Sequence, residues 1–447
     1  MHVPRHVQCI EPVRLVRERL WPALPGVMSV RPRDTVVYEV HQARSAPPLA
    51  HVEAAVGARL AESGLRDRLH PGASIAITAG SRGIANIPAI LRVVVDFVRQ
   101  SGAEPFLVPA MGTHGGAAAE RQTALLASMG VTEHAVGAPI RSCMDTTCIG
   151  RTQAGTDVRI DRLAWEADGI IVVNRVKPHT DYEGAIESGL LKMLAVGLGK
   201  AEGALLVHSW GTAGLRDIVP QTARVMLDSG KVLLGLAILE NSWAETALVE
   251  AVQPEDFERR ERELLLTAKQ WAPKLPFEEA DVLIVRRMGK DLSGTGMDAK
   301  VIGRTVCLGE GPPPSPRIHV IGVLELTPGT QGNAAGIGMA DLTTERLVEG
   351  TDMEATRRNT MTAHSVPGAR IPLALPTDEA LLEAALELLP APSRAAPRIA
   401  IIEDTLHLRR LHVSEALAAE LRGRDNVTVS DTSQRLVFNA GGRLGAL

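Results

Sequence analysis

The amino-acid sequence predicts an α/β protein built from two α/β domains with mainly parallel sheets, and three observations carry that expectation. From about residue 35 to about residue 275, short apolar runs alternate with helical patterns, the signature of strands covered by helices. Around residues 253–278 the composition shifts to PEDFERRERELLLTAKQWAPKLPF, a charged helix closed by two prolines. A second alternating series follows, and 447 residues are too many for one ordinary core. We therefore expect an N-terminal domain over residues 1–275 and a C-terminal domain over residues 276–447.

In the first series SIAITAG, PFLVPAM, GIIVVNRV and VLLGLAIL read as strands. Between the first two lies IPAILRVVVDFVRQSGA, whose apolar spacing predicts a helix and whose Gly102 predicts its C-terminal cap. This βαβ unit ends its strands in Gly80-Ser81-Arg82-Gly83 and in Gly112-Thr113-His114-Gly115-Gly116. Ligands of such sheets bind beyond the carboxyl ends of the strands, so Arg82 and His114 are expected at one crevice. The strand GIIVVNRV runs into Lys177-Pro178-His179 and places another histidine past a strand end. The following stretch, YEGAIESGLLKMLAVGLGKAEGALLVHSW, carries Gly184, Gly189, Gly197, Gly199 and Gly203. Such glycines predict close approach of the backbone to a bulky ligand or to another segment, with tight helix packing as the alternative. In the second series ADVLIVRRM, RIHVIGVLEL and RIAIIED read as strands, and helices are expected near DLTTERLVEG, TDEALLEAALELL and SEALAAELRG. PAPSRAAP, near residue 390, reads as a loop.

Composition narrows the function classes. Apolar content of 45% with 22% charge is that of a soluble globular protein. A net charge of −4 without a basic run argues against a general affinity for nucleic acid. No apolar stretch approaches the length of a bilayer span and the N-terminus lacks a long apolar h-region, so no membrane partner and a cytoplasmic location are expected. Cys9, Cys143, Cys148 and Cys307 are scattered and read as reduced, mostly buried thiols.

The chemistry concentrates in His114, His179, Lys192 and His208, which together supply proton transfer, a metal ligand and a covalent anchor. Lysine is scarce: Lys177, Lys192, Lys200, Lys231, Lys269, Lys274, Lys290 and Lys300 are the only eight among 48 basic residues. Where arginine has taken over the surface, a retained lysine points to a need for an amine that can lose its proton or bond covalently. Lys231, Lys269 and Lys274 lie in polar or amphipathic stretches and read as solvated. Lys192 lies in an apolar helical stretch, where an unpaired ammonium is expensive. A histidine just past a strand is commonly structural, and two past neighbouring strands favour function. The glycine-rich DLSGTGMDAK, residues 291–300, follows the first strand of the second domain. Lys300 there joins Arg82 on a carboxylate across the domain cleft, or is a solvated turn lysine. GSRGIAN and GTHGG suit anion-binding turns, and neither is a Walker A or a dinucleotide fingerprint.

The order SRG, GTH, KPH, and then a lysine followed sixteen residues later by a histidine, resembles the lactate racemase family of nickel-pincer-nucleotide enzymes. The resemblance spans roughly residues 30–430, with its distinctive motifs in the first domain. It implies two α/β domains with the active site in the cleft between them. It also implies a cofactor, pyridinium-3-thioamide-5-thiocarboxylic acid mononucleotide carrying nickel. By the resemblance Lys192 is the covalent anchor, His208 the nickel ligand, and Arg82 and Lys300 the holders of the substrate carboxylate. His114 and His179 are the acid/base pair of an isomerase acting on a small 2-hydroxy acid by hydride transfer. Its partners are the cofactor-making and nickel-inserting enzymes. Three departures stand out: Ser81-Arg82-Gly83 replaces the usual Thr-Arg-Pro, the interval from His179 to Lys192 is longer, and Met297 stands where a substrate-contacting glutamine is expected. A thioether in place of an amide gives an adaptable apolar wall without hydrogen-bonding capacity, so the acid need not be lactate.

The physical chemistry of racemisation agrees with these roles. The C–H of a 2-hydroxy carboxylate is a poor acid, whereas hydride removal becomes easier once a base takes the hydroxyl proton. Two enantiomers present their hydroxyls differently, which makes two bases natural. Imidazole and sulfur donors suit nickel. Two other readings remain: a lyase or aldolase that uses Lys192 as a Schiff base, and a non-catalytic module that binds a small carboxylate or nucleotide.

Overall fold

A computed structural model describes residues 30–447, apart from Arg82, Asp181 and His364. In chain order its strands are β1 (Val36–Gln42), β2 (Ser74–Ala79), β3 (Glu104–Pro109), β4 (Thr146–Arg151), β5 (Asp157–Asp161), β6 (Gly169–Arg175), β7 (Val232–Glu240), β8 (Thr246–Val252), β9 (Glu279–Met288), β10 (Arg317–Leu326), β11 (Leu342–Thr344), β12 (Leu373–Leu375), β13 (Ile399–Ile402), β14 (Arg410–Ser414) and β15 (Val427–Arg435). A five-stranded sheet runs β3-β2-β6-β7-β8, parallel except for the antiparallel edge strand β8. An eight-stranded sheet runs β12-β11-β10-β9-β13-β14-β1-β15. Its first five strands are parallel and its last three run antiparallel to their neighbours. The expected α/β class with mainly parallel sheets is what the chain adopts.

Sheet membership follows the composition break near residue 275, with one exchange. The sequence places residues 35–42 with the first series, yet β1 pairs with β14 and β15 in the larger sheet. Val37 and Val40 are fully buried there, each in a different core of that sheet. The chain then crosses to the smaller sheet, and reciprocal hydrogen bonds of 2.9 and 3.0 Å between Ser45 and Ser242 hold the crossing.

The period of two along a strand sends successive side chains to opposite faces, and β6 shows its consequence. Ile171 and Val173 face the helix Ile87–Gln100, which buries Ile90, Leu91, Val94, Val95 and Val98. That helix has Pro88 in its first turn and Gly102, at φ 84°, just past its end. Ile170 and Val172 face the opposite core, built with Leu190, Leu194, Leu198 and Val207. The stretch containing Lys192 and His208 therefore covers one face of the small sheet.

The glycines of that stretch serve close packing within the protein. A Cβ on Gly197 would come 2.8 Å from the Ala110 carbonyl oxygen, and one on Gly189 would collide with the Glu261 carboxyl. PAPSRAAP contains a single helical turn, Ala391–Arg394, instead of an open loop. Cys9 lies outside the described residues, and the described thiols are less buried than expected: Cys148 is exposed, and Cys143 and Cys307 are half-buried. Among the described residues no helix is long and apolar enough to cross a membrane.

Candidate active site

Because β2, β3 and β6 are adjacent and parallel, the loops that follow them leave the same edge of the sheet. The loop after β3 takes left-handed turns at Gly112, Gly115 and Gly116, with φ of 56°, 65° and 62°. The Gly112 N–H donates to the Gly197 carbonyl at 3.3 Å, so this loop is docked on the segment that carries Lys192. Beneath it the fully buried Gln122 donates from its amide to the carbonyls of Gly112 (3.0 Å) and His114 (3.1 Å). His114 itself is exposed, and its Nδ1 shares a hydrogen bond with the Ser81 hydroxyl at the end of the neighbouring strand. Arg82, the next residue, lies outside the described residues.

Lys192 closes the short helical turn Leu190–Lys192 and is followed by the π-helical segment Met193–Leu198. The helix Lys200–His208 comes next, and a second π-helical segment, Gly214–Ile218, lies beyond it. Such wide turns recur at functional sites, where they shift a side chain out of regular register. Lys192 and His208 are both half-buried. Two groups fix where the stretch begins: the Asn174 amide of β6 donates to the Gly189 carbonyl at 2.7 Å, and the Glu261 carboxyl accepts the Leu191 N–H at 2.9 Å. Burial pushes the Glu261 carboxyl up to about 7, opposed by the N–H groups of Leu191 and Leu190.

His179 is the electrostatic centre of the site. Burial holds its imidazole well below the ordinary value, followed by the positive charges of Lys192, Lys177, Lys300 and His208. Its ring lies 4.6 Å from that of the buried Tyr182, tilted by 39°. The loop that carries both is closed by the paired backbones of Lys177 and Ser188. Inside its neck sits Glu187, with no exposed surface, which accepts the His179 N–H at 2.6 Å. Lys300 approaches from the larger-sheet unit and places its ammonium 3.1 Å from Glu187 and 3.5 Å from the Tyr182 carbonyl.

The structure thus brings Lys192, His208 and Lys300 within electrostatic reach of His179, and docks the His114 loop on the same helical stretch. Met297 is fully buried in the core of the larger sheet, with Met288 and Ile302, and presents no open wall in this conformation. Lys269, expected to be solvated, instead reaches the buried Glu187 carboxylate at 2.6 Å. Sequence reasoning passed over Glu187 and gave Ser81 no role of its own. The available signal for Glu187 was a lone acid in the apolar run AIESGLL, which demands a buried partner. The cluster can hold an anion with its lysines and keep one imidazole neutral, ready to accept a proton.

Residues 26–196 match the family described as the lactate racemase N-terminal domain. This segment, somewhat more than a third of the chain, is similar to the N-terminal domain of lactate racemases. Ser81, Arg82, His114, His179, Glu187 and Lys192 lie inside the matched span, and His208, Met297 and Lys300 lie beyond it. Among solved structures, the lactate racemase apoprotein from Thermoanaerobacterium thermosaccharolyticum is similar at 14% identity, with a TM-score of 0.49, over 80% of this chain and 93% of that one. No curated protein sequence matches.

Proposed function

We propose that this protein is an isomerase, a racemase or epimerase of a small 2-hydroxy acid that works with a nickel-pincer nucleotide. The observation that carries the reading is the gathering of Lys192, Lys300 and His208 charge around a neutral His179, next to a family match that ends just past Lys192. The donor set fits the cofactor. A half-buried amine at the mouth of a π-helical turn suits covalent attachment, and one histidine completes the coordination of a metal held otherwise by the cofactor. Among the described residues no group of three or more histidine, cysteine or acidic side chains is arranged to hold a metal, and a pincer requires only one protein ligand.

In this reading Lys192 anchors the nucleotide and His208 is the nickel ligand. When bound, the cofactor supplies the hydride acceptor and donor for C2 of the substrate. The protein does the rest. Lys300 and Arg82 hold the carboxylate, His179 takes the hydroxyl proton of one enantiomer, and His114 serves the other. Ser81 fixes the orientation of the His114 ring, and contact between the two units excludes water from the keto acid formed in transit. The same proposal places the domains at residues 1–275 and 276–447, with β1 contributed by the first to the sheet of the second. It places the protein in the cytoplasm beside the enzymes that make the cofactor and insert nickel.

The test is intact-protein and peptide mass spectrometry of chain co-produced with the cofactor-making enzymes, with nickel measured on the same sample. An adduct on the Lys192 peptide with stoichiometric nickel is expected, absent in Lys192→Ala. His208→Ala should keep the adduct and lose nickel. An unmodified lysine beside a lactate racemase control that loads normally refutes the proposal.

A further inference from the structure

We propose that Glu187 is a positioning residue that fixes His179 and Lys300 relative to each other across the contact between the two units; the proposal rests on the racemase reading for the roles of those two residues. Four donors meet on its fully buried carboxylate. Oε2 accepts the His179 N–H at 2.6 Å and lies 3.1 Å from the Lys300 ammonium. Oε1 accepts the Gly184 N–H at 3.2 Å and lies 2.6 Å from the Lys269 ammonium. These donors come from the loop itself, from the helix Phe257–Trp271, and from the turn Ala299–Ile302 of the larger-sheet unit. The Tyr182 hydroxyl donates to the Glu187 carbonyl at 3.0 Å, which fixes the ring that lies against His179.

A carboxylate needed only to close the loop would be satisfied by Lys269 and the two backbone N–H groups. The reach of Lys300 from the other unit is more than loop closure requires. Glu187 and the Tyr182 carbonyl aim the Lys300 ammonium from its buried side, and a further neighbour is the exposed Glu183 carboxylate at 3.8 Å, a contact that a substrate carboxylate can replace. One side chain thereby sets the spacing between the group that takes the proton and the group that holds the carboxylate. Spacing of that kind decides the fraction of bound substrate in a reactive pose.

The experiment is a double-mutant cycle on the full chain, read by calorimetric binding of oxamate, a 2-keto acid isostere, to cofactor-free protein, and by kcat and KM for 2-hydroxy acids on loaded protein. Glu187→Gln should weaken oxamate binding by about tenfold, and should change it by less than about twofold when added to Lys300→Met, because coupled residues fail to add. Glu187→Asp keeps the charge and withdraws it by one methylene. It goes through the same cycle, should also weaken binding, and decides the matter where Glu187→Gln does not fold. Additive losses, wild-type affinity in the Glu187 variant that folds, or no oxamate binding by the wild type would each overturn the positioning role. A coupled cycle in a protein that racemises no 2-hydroxy acid would sink the racemase reading and leave the Glu187–Lys300 coupling standing.

Discussion

Replacing Glu261 by glutamine should change the pH dependence of stability in a direction set by its burial. Glu261 lies on the helix Phe257–Trp271, is 1% exposed, and holds the first N–H groups of the turn that ends in Lys192. Its Oε1 has no hydrogen-bond partner, which leaves that oxygen to carry a proton. The folded carboxyl titrates at about 7 instead of 4.5. Between those values the native state keeps a proton that the unfolded chain has released, so stability falls as pH rises through this window. Above it the full penalty stands, about 3 kcal/mol at about 1.36 kcal/mol for each pH unit of separation. A glutamine carries no such penalty, and its amide oxygen still accepts the Leu191 N–H.

Urea unfolding of wild type and Glu261→Gln from pH 4.5 to 8.5 is the assay. The variant should gain on the wild type steadily between pH 4.5 and 7, by about 3 kcal/mol in all, and hold a constant difference above. A difference that stays flat over the whole range would show that Glu261 titrates as an ordinary carboxyl and that the argument from its burial is wrong. The result bears on the candidate site, since the Glu261 carboxyl accepts the N–H of Leu191, the residue next to Lys192. Gly189→Ala gives a second reading of the same contact: its Cβ would collide with the Glu261 carboxyl, and cofactor attachment at Lys192 should slow.

Three further outcomes are expected. Lys200 and Asp161 form an ion pair of 2.8 Å with neither side chain exposed, so Lys200→Met should cost about 3–5 kcal/mol in urea unfolding, with much of it recovered in Lys200→Met/Asp161→Leu; an unchanged midpoint in the single variant would contradict the pairing. Ser81→Ala removes the hydroxyl partner of His114 Nδ1, and kcat on loaded enzyme should fall about fivefold, the worth of about 1 kcal/mol, with adduct and nickel intact. The His179 imidazole is held below its ordinary value first by burial and then by nearby cations, so its ring should stay neutral through pH 6.5 in an NMR titration and titrate higher in Lys300→Met. The sign for stability follows: charging a histidine depressed in the fold is harder there than in the unfolded chain, so its contribution is lost as pH falls below 6.5.

The small sheet was legible because each of its central strands is buried on both faces and reads as a continuous apolar run; SIAITAG and GIIVVNRV have no other stable use. The pairing of β1 was not legible, for the same physical reason in reverse. VVYEVHQ alternates well enough for any half-buried strand, and what decides its sheet is pairing with β14 and β15, almost four hundred residues away in sequence and invisible to local pattern. The strand-end histidines were legible because the βαβ pattern fixes which strand ends share an edge. Glu187 and Ser81 were not, because their significance is a partner brought by folding and not a residue type in a run.

The scarcity of lysine turns out to be the most informative compositional signal, for a reason that differs from the one first read into it. Lys200 is enclosed with Asp161 and the Pro109 carbonyl, and Lys269 and Lys300 both meet the buried Glu187. An ammonium is compact and directs three donors from one atom, whereas a guanidinium is a broad plane that needs a fork of acceptors. At Lys200 and Lys300 two acceptors converge on one ammonium and Lys269 reaches a carboxylate oxygen, a geometry that suits a point charge better than a planar fork. At these positions lysine serves as a point charge, and in the proposed function Lys192 is the position kept for the chemistry of its amine.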